Sequence, residues 1–188
     1  MKMTLNEMIQ DASSRAAWTL KYTGAVPITF IGYRPDGNPG FMFDQRTLTD
    51  IGFSGADNKN FLNFLVQQYV HLFGCTQVVH ISEAWVKFMK HKDGLEIPDY
   101  IHDDPERHEI MMYMAEDIDG NRFQGQQSII RPSGGEVHLA DDLKINDASD
   151  QADWSGRFMN FWGGPSGKER FGDLMKKWNV VMRKVNET

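Results

Sequence analysis

The chain has almost no cysteine. Cys75 stands alone among 188 residues, so no internal disulfide can form, and a reducing compartment, the cytoplasm, is expected. Long apolar runs are also missing. None approaches the ~20 residues a membrane-spanning helix needs. The opening MKMTLNEMIQ lacks the apolar stretch and small-residue cleavage site of a signal peptide. Basic charge is in deficit too: the formal net charge is -6 and the pI near 5.5. That disfavours a general nucleic-acid binder, which needs a basic surface, and it is too mild for a DNA mimic. No repeat, low-complexity tract or long linker divides the sequence.

What is present is ordinary globular material, with 40% apolar and 24% charged residues. A chain of this length buries about 70% of its unfolded surface, so a single domain is expected over 1–188. Thr4-Leu5-Asn6-Glu7 is a capping box, and Leu5, Met8, Ile9, Ala12 and Ala16 follow at helical spacing. With Gly24 and Pro27 as stops, the pattern predicts a helix over 4–22. Residues 27–33 and 41–43 flank the turn Pro35–Gly40 and read as a hairpin. Residues 44–56 read as loop. A second helix is expected over 57–73, capped by Asp57 or Asn58 and closed by Gly74.

Cys75 to Met89 reads as the best strand, and 108–118 as another. Asp119-Gly120 signals a two-residue turn, which would set Asp117 opposite Arg122 and Ile110 opposite Ile129. Residues 121–131 return, Pro132–Gly135 turns again, and 136–140 form a short strand. The aspartate-rich stretch 141–153 reads as a surface loop. A third helix is expected after the capping box Ser166–Glu169, where Phe171, Leu174, Met175, Trp178, Val181, Met182 and Val185 keep helical spacing. The sum is an α+β fold: a meander of about four antiparallel strands and an N-terminal hairpin, packed with about three helices.

Candidate chemistry is thin. Gly163–Lys168 fails the phosphate-loop spacing, and Glu169 stands where a magnesium-binding hydroxyl belongs. On the strand 75–89, His80 and Ser82 share one face while Glu83, Trp85 and Lys87 share the other, so His80 and Glu83 cannot act as a pair. Glu83 beside Trp85 is a candidate binding carboxylate on a rigid strand. Its structural alternative is a half-buried charge paired with Lys87 or a neighbouring strand. Residues 90–107 form a long connection carrying Tyr100, suited to a lid or a partner-binding loop. Trp154, Phe158, Phe161 and Trp162 are aromatic surface that must find cover. His102, Asp103, Asp104 and His108 are candidate ligands for a divalent metal, although their spacing matches no compact motif, and Asp104-Pro105 also suits a helix start. Cys75 and Ser82 lack the surroundings of a nucleophile.

Ile81-Ser82-Glu83-Ala84-Trp85, with Pro105-Glu106-Arg107-His108-Glu109 downstream and the hairpin from Ala115 to Arg122, resembles a group of small uncharacterised bacterial and phage proteins. The likeness covers about 75–131. It implies a sheet element and a microbial or phage setting, and it implies no activity.

The leading expectation is a non-enzymatic binding or regulatory module, acting on a host protein or a small ligand, without a cofactor. Glu83, Trp85, Tyr100, Trp154, Phe158 and Trp162 are its candidate contacts, and a protein partner or a homodimer its expected company. The rival is a metal-assisted hydrolase using Glu83, His102, Asp103, Asp104 and His108 around a divalent ion. A structural subunit of a larger assembly is the third.

Overall fold

The computed structural model describes residues 3–46, 55–86, 107–148 and 161–162, with side chains omitted over 55–61. Helix α1 spans Leu5–Thr23. Thr4 caps it: the Thr4 hydroxyl accepts from Glu7 N–H at 3.2 Å, and the Glu7 carboxylate accepts from Thr4 N–H at 2.7 Å. That reciprocal bond holds the Glu7 carboxyl below its usual range. Gly24 ends the helix in the left-handed region, at φ 75°. Both signals are those the sequence carries.

Strands β1 (Thr29–Tyr33) and β2 (Pro39–Asp44) form the expected hairpin. Helix α2 spans Gly55–Leu72, so Asp57 and Asn58 lie inside its first turn and not ahead of it. Four strands follow, β3 (Gln77–Val86), β4 (His108–Asp117), β5 (Arg122–Ile130) and β6 (His138–Leu139), and then a fifth, β7 (Lys144–Asp147). The sheet runs β2-β1-β3-β4-β5-β6, all neighbours antiparallel, with β7 also on β5. The fold is α+β, and the hairpin belongs to the same sheet as the meander. Two helices are seen among the described residues. The expected third lies outside them.

Two strand expectations are corrected. The β4–β5 register is one residue off the expected one: Glu116, not Asp117, faces Arg122, and Ile110 faces Ser128, not Ile129. The loop has three residues because Asp117 is used as a cap. Its carboxylate accepts from Asp119 N–H at 3.0 Å and Asn121 N–H at 2.9 Å, and Gly120 takes φ 85°. A slip of one would also exchange the faces of β5, turning Phe123, Gly125, Gln127 and Ile129 away from α1. Second, the aspartate-rich stretch read as loop contains β7. Its pairing with β5 comes from the open edge that β5 offers beyond β6.

The sheet is covered differently on its two faces. On the first, α1 buries Leu5, Met8, Ile9, Ala12, Ala16 and Leu20 against Ile31, Tyr33, Val79, Ile81, Met111, Tyr113, Ala115 and Ile129. Each large side chain fully buried there contributes about 1.5–3 kcal/mol. Gln127 ties the layers: its Oε1 accepts from Ser13 Oγ at 2.8 Å and Tyr113 OH at 3.1 Å, and its Nε2 donates to Ala140 O. On the second face, α2 and Phe161 enclose Phe30, Phe41, Cys75 and Val78.

Candidate functional site

Beyond the last turn of α1, the first face carries a polar and aromatic group. Strand alternation places Glu83 and Trp85 of β3 there, with Glu109 of β4 directly opposite Trp85. Arg107, just before β4, lies over the Trp85 ring with its guanidinium carbon 4.1 Å from the centroid. Arg131, just past β5, reaches into the middle. Its Nε donates to Glu109, its Nη2 to Glu83 at 3.2 Å, and its Nη1 to Gly24 O at 2.7 Å. Glu83 accepts a further bond from Val26 N–H at 2.6 Å.

Glu83 is engaged on both sides in this arrangement. Both of its oxygens are committed, one to the backbone that leaves α1 and one to Arg131. The group is a staple joining the C-terminus of α1 to β3, β4 and the end of β5. Glu83 is paired, but with Arg131 past the end of β5, two strands away, and not with a neighbouring strand; Lys87 lies outside the described residues. Arg131 is an exposed residue, but its guanidinium makes three charge-assisted bonds, to Glu109, Glu83 and Gly24, so its loss removes several contacts at once. Arg131→Met is expected to destabilise the fold by about 2 kcal/mol, lowering the melting temperature by about 4–8 °C. Thermal denaturation followed by circular dichroism checks this. A shift under about 1 °C would show that the staple carries no load.

Trp85 is 42% exposed, so its ring keeps one open side next to Arg107. His108 begins β4 on the second face, opposite Val86. Glu83 and His108 are thus separated by the sheet and do not converge on one ion. His102, Asp103, Asp104, Tyr100, Trp154 and Phe158 lie outside the described residues. Among the described residues, no three His, Cys, Asp or Glu side chains gather as metal ligands. Trp162 sits far from Trp85, on the second face. Its indole N–H donates to Cys75 O at 3.3 Å, and Phe161 beside it is buried against Phe30. Cys75 is buried as expected, and burial pushes its thiol up.

Two residues outside the expected set stand out. Trp18 and Tyr22 on the outer side of α1 are 64% and 65% exposed, with ring centroids 4.7 Å apart. The signal was in the sequence. Trp18 and Tyr22 are four apart and fall off the apolar stripe 5-8-9-12-16, so a helix there must turn them outward. Just N-terminal to them, Arg15 pairs with Asp11 at 2.7 Å, and Asp11 accepts from Tyr33 OH at 2.6 Å. Burial alone would raise the Asp11 carboxyl, but the bonds from Arg15 and Tyr33 outweigh it and hold it below its usual range. Burial likewise pushes the Tyr33 hydroxyl up. Met42, 61% exposed, lies on the same face of the sheet, on β2, an edge strand among the described residues.

No family model, curated protein or solved structure matches this chain. No helix of the described residues is long and apolar enough to cross a membrane.

Proposed function

We propose that the protein is a non-enzymatic binding module whose contact surface is the outer side of α1. One observation carries this reading: an adjacent, tilted pair of large aromatic rings, Trp18 and Tyr22, stands in solvent on a well-anchored helix. Isolated exposed apolar residues are common, but adjacent Trp and Tyr rings are the residues most often found at the centre of protein contacts. The helix beneath them is rigid. It is capped at both ends, packed along one full side, and stapled to the sheet through Arg131. A rigid aromatic platform gains affinity because little ordering is needed on binding. The Glu83–Arg131–Glu109 group holds Gly24 and Val26, the backbone that leaves the helix.

The test is site-specific photo-crosslinking. A benzophenone side chain at position 22 is expected to capture protein in a bacterial lysate several-fold more than the same group at position 119, on the β4–β5 turn. Equal capture at both positions would remove the reading. Loss of capture at 22 on adding Trp18→Gln would assign it to the ring pair.

A further inference from the structure

We infer that the partner of this surface is a second copy of the chain, with the two α1 helices packed antiparallel about a twofold axis near Ser14. The inference rests on the contact-surface reading above and adds the identity of the occupant. The outer side of α1 carries Glu7, Asp11, Ser14, Trp18 and Lys21, spaced four, three, four and three residues apart. That spacing keeps one straight seam along a helix, with Trp18 as its large apolar side chain. Glu7, Ser14, Trp18 and Lys21 are exposed and Asp11 is half-buried, so the seam is accessible along α1. This is the side opposite the one that buries Leu5, Met8, Ile9, Ala12 and Ala16.

The order of charges along the seam selects the partner and its direction. The first half is acidic, with Glu7 and Asp11; Arg15 flanks the second half and Lys21 ends it. A parallel copy would set like charge on like. An antiparallel copy centred on Ser14 sets Glu7 opposite Lys21 of the second copy, and the twofold repeats that pair. Ser14, small and polar, meets itself on the axis and lets the helices approach closely. Trp18 then lies over the Asp11–Arg15 ion pair of the second copy, where an indole face against a guanidinium is favourable. Lys21 is within 3.6 Å of Glu136 in its own chain, both side chains well exposed, so that pair is readily shared. A single helix pair is a small interface. The dimer is therefore weak, with dissociation on the order of 10–100 μM.

Sedimentation equilibrium of the full chain tests this. The average mass is expected to rise from the 21.6 kDa monomer towards twice that value across the micromolar range. Trp18→Gln, at an exposed position and expected to keep the natural circular dichroism spectrum, should weaken association at least about tenfold. Lys21→Glu places like charges opposite each other twice and should weaken it about fivefold to tenfold, less so in high salt. A monomer at all concentrations up to about 500 μM overturns the inference. So does a dimer that both variants leave unchanged. A monomer whose position 22 still crosslinks to other proteins would overturn the second copy alone and leave the contact surface standing. Absence of both association and crosslinking would remove the two together.

Discussion

Phe30→Ala is expected to lower the melting temperature by about 8–16 °C, through the loss of about 4 kcal/mol. Phe30 is fully buried at the centre of the second-face core. His80 stacks on it at 5.0 Å, Phe43 lies at 5.6 Å, and Phe161 meets it edge-on at 6.0 Å. Removing the ring therefore forfeits transfer free energy and leaves a cavity lined by rigid aromatics, which cannot collapse into it. The effect has a local signature. Cys75 belongs to this same core and is the only thiol in the chain. Its modification by a thiol reagent, followed well below the melting temperature, should be markedly faster in Phe30→Ala. A shift under about 3 °C, or an unchanged Cys75 rate, would show that Phe161 and α2 are not held by this ring.

Gly125→Val is expected to cost about 3 kcal/mol, or about 6–12 °C, by the opposite mechanism. Gly125 sits in β5 beneath α1. A β-carbon there would lie 2.7 Å from Ile9 Cγ2 and 3.1 Å from Tyr113 Cδ2. Valine adds two further methyl groups to a gap already too small for the first. Ile9 is fully buried and Tyr113 is held through its hydroxyl to Gln127, so neither side chain can yield cheaply. The strain must lift α1 from the sheet. Hydrogen exchange should then quicken in α1, and far less in α2, which packs on the other face. Gly125→Ala should cost less, because alanine adds the β-carbon alone and none of the further methyl groups of valine. Equal stability of Gly125→Val and the natural protein would contradict the close approach of α1 to β5.

These two positions also show where sequence reading stops. Phe30 is an apolar residue in a β-rich run, and its burial could be expected from the run alone. That it meets Phe161, more than a hundred positions away, could not. Gly125 reads as a weak point in a strand. Only the helix above it explains why no side chain fits. The β4–β5 turn is a similar case. Asp119-Gly120 signals a tight hairpin, but the carboxylate of Asp117 captures two backbone amides and enlarges the loop by one residue. Propensity identified the turn, and a side-chain cap decided its length. For Glu83, alternation along β3 gave the correct face. Its partner, Arg131, lies two strands away, and no local pattern points to it.

The local elements were determined by the sequence itself. Capping boxes, glycine stops and 3.6-residue periodicity act over a few neighbours, so α1, the hairpin and the existence of the β4–β5 pair are legible, though not the register of that pair. The outward turn of Trp18 and Tyr22 follows from the same periodicity. The tertiary structure decided the rest: that the hairpin joins the meander in one sheet, that β7 forms from an acidic stretch because β5 offers it an edge, and that Glu83 is tied by Arg131. Those outcomes depend on which distant groups are left with unpaired backbone, uncovered apolar area or unmatched charge once the sheet has closed. That quantity is a property of the folded surface, and it has no value for any short segment taken alone.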